Sequence, residues 1–398
     1  MTTNDIKARA SVGKTVEAPF IEETGMGRPS LGVSQSSLNM KHLRVVHFAE
    51  TLKGGPATHL QQLLPFQVSN YGQVAVFCPE SHSTEFDVPG VDVHTTPDRP
   101  RNVSGLLALR KAWQAHLDKH HYDIIHLQST FAGFLGRTLR RPSGTGIVYC
   151  ARGWSFAMDS HAIKKTIYGL AERALMSRTD AIINISQDEA DQAAFYGISG
   201  SKCVTVYNGI EDALWVPLEA PITEPLRLLY VGRYDRQKGV DILIEAMSRL
   251  DPARWHLTLV GGRVRAGAET EAFLPHVTNL GWQKPDRIRQ ELAKAHAVVI
   301  PSRWEGFGFV AAEAMRAGRA IAASAVGGLK EIVIEGKTGT KFTPNSSDAI
   351  VAGLERLREM DLPALGRAGR ARYESLFTSD RMFAGIDRVY RRVLGAHE

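Results

Sequence analysis

From residue 43 onward, short apolar runs alternate with longer segments in which apolar residues recur at helical spacing. The short runs are apolar throughout, which is typical of strands buried on both faces of a sheet. These runs predict strands at 43–48, 73–78, 91–94, 123–128, 146–151, 181–186 and 203–207. Helices are predicted between most of them, for example over 103–121 and 160–178. Strands that alternate with helices in this way predict a parallel sheet of right-handed βαβ units.

The same alternation restarts after residues 215–226, a segment with three prolines that predicts a linker. The second series of strands is predicted at 226–232, 256–262, 276–282, 297–302 and 319–324, with helices over 238–250 and 309–318. Two doubly wound α/β units therefore follow one another, and we expect a cleft between them at the carboxyl ends of their strands. An amphipathic helix is predicted over 378–397.

These patterns predict three parts of the chain. Residues 1–40 lack periodicity and predict a flexible extension, with a weakly packed first element as the alternative. Residues 41–215, joined by the terminal helix 379–398, are predicted to form a first Rossmann-like domain, and residues 216–378 a second.

The composition of the 398 residues is that of an ordinary globular protein, with 43% apolar and 23% charged residues. The sequence has neither an apolar run long enough to span a membrane nor the apolar core of a secretory signal. Cys78, Cys150 and Cys203 show no C-x-x-C spacing, so a reducing cytoplasm is expected and no metal site is predicted. The net charge of +6 favours anionic partners mildly and does not indicate nucleic acid.

The strongest candidate for chemistry is IPSRWEGFGFVAAEAMRAG, residues 300–318. A buried strand leads into a glycine loop with Glu305, and a helix with Glu313 follows. Free amides at the start of a helix can face an anion, and glycines let the backbone approach a ligand. One carboxylate can bind sugar hydroxyls near the reacting carbon and the other can clamp a ribose. The alternative for Glu313 is a purely structural role at the helix start.

Two further strand ends carry suitable residues. Arg233 and Lys238 follow the strand 226–232, where a guanidinium and an ammonium would suit a diphosphate. The alternative is that both are solvated loop cations. Gly54 and Gly55 form a second glycine loop between the strand 43–48 and a helix, and this loop does not match the dinucleotide fingerprint.

Taken together, GRxxxxKG at 232–239, EGFGFVAAE at 305–313 and the glycine pair at 54–55 resemble the GT-B glycosyltransferases of family 4. The resemblance runs from about residue 43 to the end. It implies an α/β GT-B fold, in which two Rossmann-like domains face a cleft and the C-terminal helix crosses back to the N-terminal domain. It also implies retaining transfer of a hexose-type sugar from a nucleotide-diphosphate sugar, of UDP or GDP type, without a metal or other cofactor.

The resemblance also implies roles for individual residues. Arg233 and Lys238 would bind the donor diphosphate, Glu305 the transferred sugar and Glu313 the ribose. Further contacts with the donor are implied for Gly54, Gly55, Gly262, Gly281, Trp282, Gly306, Phe307 and Gly308.

The run YCARGWSF departs from similar sequences, which often carry a His-Gly pair near the acceptor, because it has Arg152 before Gly153. Arginine is not a general base at neutral pH, so Arg152 is predicted to stabilise phosphate or to bind an anionic acceptor. His126 is another catalytic candidate at the cleft, although a histidine at a strand end more often has a structural role. Asn208 and Gly209 are interpreted mainly as a turn.

The chain contains no D-x-D pair, which agrees with stabilisation of the leaving group by cations and helix N-termini. We expect the acceptor hydroxyl to attack from the face that the nucleotide leaves. The departing phosphate oxygen would take the proton, and Glu305 would position the sugar without a covalent intermediate.

Residues 131–180 carry eight Lys and Arg against three acids, a local charge of +5. This segment predicts contact with an anionic membrane and access to a lipid-linked saccharide acceptor, with a solvated basic face as the alternative. The predicted process is assembly of bacterial exopolysaccharide or lipopolysaccharide. Alternative functions are a sugar-nucleotide epimerase, transfer to a small soluble acceptor, and a non-catalytic subunit that binds a nucleotide sugar.

Overall fold

A computed structural model of the chain describes residues 40–85, 87–157, 161–212, 222, 224–263 and 274–395. The strands are β1 (Arg44–Ala49), β2 (Gln73–Pro79), β3 (Asp92–Thr96), β4 (Ile124–Gln128), β5 (Gly146–Cys150), β6 (Ala181–Asn184), β7 (Cys203–Thr205), β8 (Leu226–Val231), β9 (Trp255–Val260), β10 (Val277–Asn279), β11 (Ala297–Ile300), β12 (Ala320–Ser324) and β13 (Gly339–Phe342). The α-helices are α1 (Gly55–Asn70), α2 (Val103–Leu117), α3 (Thr130–Thr138), α4 (Ala162–Leu175), α5 (Gln187–Phe195), α6 (Val240–Met247), α7 (Pro285–Lys294), α8 (Phe309–Arg316), α9 (Leu329–Ile332), α10 (Ser347–Arg358), α11 (Leu362–Leu376) and α12 (Ser379–Val393).

The strands form two parallel sheets. Within the described residues, the first sheet has the order β3-β2-β1-β4-β5-β6-β7 and the second the order β10-β9-β8-β11-β12-β13. The chain order reverses beside β1 in the first sheet and beside β8 in the second. Ligands of doubly wound folds bind at such switch points, outside the carboxyl ends of the strands. The predicted α/β class with two doubly wound units is confirmed.

The predicted strands all occur, and β13 is an additional one that the sequence pattern missed. Its sequence, GTKF, holds a glycine and a lysine, so it contains no apolar run. It pairs with β12 at the edge of the second sheet, where Gly339 lies against the backbone of Ile321. A Cβ at Gly339 would lie 1.8 Å from the Ile321 carbonyl oxygen, so this edge requires the glycine.

The terminal helix α12 returns to the first sheet, as predicted. It lies against α1, and the hydroxyl of Tyr71, the residue after α1, donates to Asp387 over 2.9 Å. It also contacts β4, because the Tyr390 hydroxyl lies 2.7 Å from Nδ1 of His126. The side chain of Val393 fills the space beside Gly146 at the start of β5.

Helices and loops that flank the two sheets also contact each other directly. The hydroxyl of Tyr373 in α11 donates to the Ile210 carbonyl over 2.9 Å, and Lys330 pairs with Asp188 at 2.7 Å. Residues 1–39, 213–221 and 223 lie outside the described residues, so the predicted extension and the predicted domain boundary at 215 stay predictions. Among the described helices, none is both long enough and apolar enough to cross a membrane.

Candidate active site in the cleft between the sheets

A cavity of about 740 Å³ lies at the carboxyl ends of strands from both sheets. Most of the predicted site residues border it. They are Gly54, Gly55, Arg152, Arg233, Lys238, Trp282, Glu305, Gly306, Phe307, Gly308 and Glu313. A second cavity of about 530 Å³, lined mainly by β7 and α12, contains none of the predicted site residues.

The charged groups of the second sheet are held by neighbours in the loops that follow β8 and β11. Nζ of Lys238 lies 2.7 Å from Oε2 of Glu305, and the Ser302 hydroxyl donates to the same oxygen over 3.3 Å. Arg233 pairs with Asp235 at 2.8 Å and donates to Gln237 over 2.9 Å. Because both cations and Glu305 are partly accessible, they can exchange these partners for a ligand that enters the cavity.

The loop before α8 is shaped by Gly308. Its φ is +108°, in the region that favours glycine, and a Cβ there would lie 2.7 Å from the Leu329 side chain. This turn starts α8 at Phe309, so the first amides of the helix adjoin the cavity. Glu313 borders the cavity from the next turn of α8, and burial raises the pKa of its carboxyl.

The loops after β9 and β10 place the ring of Trp282. Gly261 has a φ of +133°, and a Cβ there would lie 1.8 Å from the Gly232 carbonyl oxygen, so the chain needs glycine at this close approach. A Cβ at Gly262 would lie 2.7 Å from Nε1 of Trp282. Gly262 and Gly281 do not border the cavity themselves; they lie beside Trp282, which is 61% exposed there.

The cavity has two walls, one formed by loops of the first sheet and one by loops of the second, and the two approach each other closely. A Cβ at Gly54 would lie 3.9 Å from Nη1 of Arg233 on the opposite wall. A Cβ at Gly306 would lie 3.7 Å from Cα of Gly153 and 3.5 Å from Oε1 of Glu189. A ligand held by the loops of the second sheet therefore also meets the first sheet.

Arg152 is one of two cations that the first sheet brings to the cavity, the other being Lys53, and it is half-buried. It follows β5 with a φ of +55°, in the left-handed region, and such strained residues are concentrated at functional sites. Its guanidinium donates to Gln128 and, over 3.4 Å, to Asn208. Its Nη2 is buried and has no hydrogen-bond partner among the described residues. Burial lowers the pKa of Arg152, which reflects the cost of holding this charge away from water.

Three buried histidines lie near Arg152, and none of them contributes a negative charge that would compensate the guanidinium. Burial lowers the pKa of His47 to about 4, and burial together with neighbouring charges lowers the pKa values of His59 and His126. All three are therefore neutral at neutral pH. His47 contacts Gln67 and Gln128, and His59 contacts Asn208.

The expectation that His126 faces the cleft is not met. The side chain is fully buried in β4, does not border the cavity, and contacts the Tyr390 hydroxyl of α12. The physical reason is that α12 covers this strand. This geometry agrees with a structural role for His126, the alternative to a catalytic one.

Two residues at the cavity were missed or misinterpreted. Glu189 accepts hydrogen bonds from the backbone of Gly153 and Ile185, and burial raises its pKa to about 7. The capping pattern Ser186-x-x-Glu189 at the start of α5 was the available signal. Asn208, interpreted mainly as a turn residue, lies in an irregular segment and bonds His59 and Arg152 through its side chain.

The basic surface predicted over 131–180 is smaller than the charge count indicated. Arg137 is buried and pairs with Glu172 at 2.6 Å, while Arg141 pairs with Asp180 at 2.8 Å. Arg152 belongs to the cleft, as described above. Lys164 and Lys165 stand on α4 beside exposed apolar side chains.

Two family models match the chain. The model described as Glycosyltransferase Family 4 matches residues 53–214, and the model described as Glycosyl transferases group 1 matches residues 219–373. An uncharacterized 41.2 kDa protein from the cps region of Klebsiella pneumoniae is 32% identical over 322 residues, which cover 78% of this chain and 88% of that protein. The chain is a glycosyltransferase of the family 4 type. This glycosyltransferase is also 27% identical to an uncharacterized glycosyltransferase of Methanocaldococcus jannaschii, over 78% of its own length and 87% of the relative.

Solved structures place this glycosyltransferase in the GT-B fold. Sucrose-phosphate synthase from Thermosynechococcus elongatus superimposes with a TM-score of 0.77 at 22% identity, over 89% of this chain and all of that one. HepE of Anabaena, solved with UDP-glucose, superimposes with a TM-score of 0.69 at 18% identity, over 88% of this chain and all of that one. The predicted family and fold are confirmed.

Proposed function

We propose that this glycosyltransferase moves a hexosyl group from a UDP- or GDP-sugar to a saccharide acceptor, with retention of the anomeric configuration. The observation that carries the proposal is the pair of Lys238 and Glu305, joined at 2.7 Å in a cavity that Arg233 also borders. This arrangement puts two cations for a diphosphate beside one carboxylate for a sugar. UDP-glucose bound to the Anabaena neighbour supports a donor of this class.

The leaving group would be stabilised by fixed charge. As the bond between the anomeric carbon and the phosphate oxygen breaks, negative charge develops on the diphosphate. Arg233, Lys238 and the first amides of α8 surround the space where that charge would form. Groups already oriented in a partly closed site stabilise such charge without reorganising at the moment of reaction.

Glu305 would position the sugar and not attack it. Its carboxylate shares Oε2 with the Lys238 ammonium and the Ser302 hydroxyl, and both contacts reduce its nucleophilicity. The acceptor oxygen would bond to the anomeric carbon on the face that the diphosphate leaves. The acceptor proton would pass to the departing phosphate oxygen, so that bonds and charges balance.

Arg152 would bind an anionic group of the acceptor. Arg152 borders the cavity with neutral histidines behind it, and its Nη2 lacks a hydrogen-bond partner among the described residues. A phosphate or carboxylate on the acceptor would supply the missing partner. Such a group is present in phosphate-linked lipid carriers and in acidic saccharides. The cps-region relative supports a role in surface polysaccharide assembly.

The helix α4 would hold the enzyme on an anionic membrane. It packs inward through Gly169, where a Cβ would lie 2.1 Å from the Tyr196 ring, and it exposes Ile163 and Ile167 by 75% and 58%. Lys164 and Lys165 accompany these apolar side chains. An apolar face with adjacent lysines suits the surface of anionic lipid.

Product analysis tests the reaction. Nucleotide sugars that raise the melting temperature are incubated with and without saccharide acceptors, and the products are analysed by NMR. We expect acceptor-dependent transfer with retained configuration. Conversion of the nucleotide sugar without acceptor would indicate an epimerase, and binding without any turnover would indicate a non-catalytic subunit. An inverted product, or a glycosyl adduct on Glu305 found by mass spectrometry, would contradict the proposed mechanism.

Flotation with vesicles tests the membrane contact. The wild-type enzyme should float with anionic vesicles at low salt and not with zwitterionic ones. The double substitution Lys164→Glu, Lys165→Glu should abolish flotation, while Lys337→Glu in an exposed loop serves as the matched control. Absence of wild-type flotation at low salt would remove the membrane part of the proposal.

A further inference from the structure

Three histidines meet at the outer edge of the first sheet, apart from the cleft. His94 lies on the edge strand β3, His116 lies in the last turn of α2, and His120 follows four residues later. Their ring centroids lie 4.5 Å apart for His94 and His116, 4.8 Å for His94 and His120, and 4.5 Å for His116 and His120. One ring nitrogen of each lies within 4.8 Å of the other two, and none of the three borders the cleft cavity.

Neighbouring residues orient the His116 ring, while one nitrogen of His94 has no partner among the described residues. His116 stacks on Trp113 at an interplanar angle of 15°, and its Nε2 lies 3.0 Å from the Tyr122 hydroxyl. A second hydrogen bond of this kind is how a metal-binding histidine is usually held in one tautomer. Nε2 of His94 is buried and has no hydrogen-bond partner among the described residues. A buried polar atom without a partner is costly unless a ligand completes it.

The protonation states suit a cation. Burial and the neighbouring histidines lower the pKa of His116 to about 3 and lower the pKa of His94. Both shifts favour the neutral imidazole, whose lone pair is what a metal ion binds. The carboxylate of Asp92, also on β3, acts electrostatically on His94 and favours positive charge there.

We propose that His94, His116 and His120 bind one divalent transition-metal ion, of the class to which Zn²⁺ belongs. Three imidazoles with a water as fourth ligand are a common tetrahedral set for this class. Zn–N bonds of about 2.1 Å place tetrahedral ligand atoms about 3.4 Å apart, so the rings must close by roughly 1 Å or somewhat more. His94 and His120 are only partly buried, which leaves room for this closure and for a water.

The ion would join the edge strand to the end of α2. Among the described strands, β3 pairs only with β2. Most side chains of β3 are exposed or half-buried. Edge strands are the parts of a sheet that most need such protection. Because none of the three histidines borders the cleft cavity, metal binding would be independent of sugar transfer.

Metal binding to the full-length, untagged chain tests the proposal. The chain is stripped with chelator and titrated with ZnCl₂ by calorimetry, and Co²⁺ is used to report tetrahedral coordination by its visible spectrum. We expect one ion per chain and a melting temperature several degrees higher at saturation. His94→Gln and His120→Gln should each weaken binding at least about tenfold, the loss caused even by removing outer-shell partners of a metal.

The matched control is His121→Gln, because His121 adjoins the cluster in sequence and pairs instead with Asp123 at 3.8 Å. It should bind metal as the wild type does. His116→Gln is avoided because this ring packs against Trp113 in the core. The proposal is overturned if no saturable site appears, or if His94→Gln and His120→Gln bind as tightly as His121→Gln. These readouts do not involve donor turnover, so they are unaffected if the proposed transfer is wrong.

Discussion

The two walls of the cleft hold their charges differently. On the second sheet, Lys238 and Glu305 neutralise each other at 2.7 Å, and both retain some exposure. On the first sheet, Arg152 is half-buried among neutral histidines and amides, and its hydrogen-bond partners among the described residues include no carboxylate.

This difference indicates how each wall would respond to an anion. A partly exposed ion pair costs little to rearrange, so the wall formed by the second sheet, the proposed donor wall, would accept and release a diphosphate repeatedly. A half-buried charge whose hydrogen-bond partners are neutral amides is costly until an anion arrives. The wall formed by the first sheet, the proposed acceptor wall, is therefore expected to gain more binding energy per contact from its ligand than the proposed donor wall.

The largest effect is expected on the donor wall. Glu305→Gln and Lys238→Ala should each lower donor turnover by about 10²- to 10³-fold, the usual loss on removing one oriented electrostatic group. Initial rates with the identified nucleotide sugar measure this, and melting temperatures check that the variants fold. Lys337→Ala, in an exposed loop, is the control. Unchanged turnover in Glu305→Gln would remove Glu305 from the site.

Glu189 should make stability depend on pH. Burial raises the pKa of its carboxyl from 4.5 to about 7, so the folded state keeps the proton where the unfolded chain has released it. The contribution of Glu189 to the free energy of unfolding is therefore fully present below pH 4.5, and it declines as the pH rises to about 7. The decline is at most about 3 kcal/mol. Urea unfolding at several pH values should show that Glu189→Gln flattens this dependence; an equal slope in both proteins would contradict it.

Substitution of Arg152 should affect binding of the acceptor and leave binding of the donor nearly unchanged. Arg152→Met removes a charged hydrogen-bond donor, so transfer to an anionic acceptor should fall about 10- to 100-fold through a higher acceptor KM. Donor KM should stay nearly the same. Steady-state kinetics in both substrates distinguish the two. A selective rise in donor KM would mean that Arg152 binds the donor diphosphate. It would contradict the proposal that one wall binds the donor and the other binds the acceptor.

The smallest effect is expected at Trp282. Its exposed ring borders the cavity, where it would stack on the nucleoside base. Trp282→Ala should raise donor KM several-fold to about tenfold, with kcat nearly unchanged, in line with typical base stacking. Trp282→Phe should restore most of the affinity. Equal donor KM in all three proteins would exclude stacking.

The positions of the loop residues on the proposed donor wall could be predicted from the sequence because their signals are local. A buried strand, a glycine loop and a helix start occur within residues 300–318, and the loop fixes where Glu305 stands. The environment of Arg152 has no such signal, because His47, His59 and His126 reach it from distant segments. Register and helix packing alone bring them together.

Charge counting failed for a related reason. Arg137 and Glu172 are 35 residues apart, and their buried pairing depends on how α3 packs against α4. A net charge over residues 131–180 cannot distinguish this pair from solvated groups. Likewise, β13 is recognisable only by its pairing with β12.

The most direct test of the account is the dissociation constant of the nucleoside diphosphate itself. UDP and GDP are titrated by calorimetry into the wild-type enzyme and into the double variant Arg233→Gln, Lys238→Gln. We predict that one of the two nucleotides binds the wild type at least about tenfold more tightly than the variant, since charge-assisted contacts are lost. Equal binding, at unchanged melting temperature, would contradict the claim that this wall holds the donor.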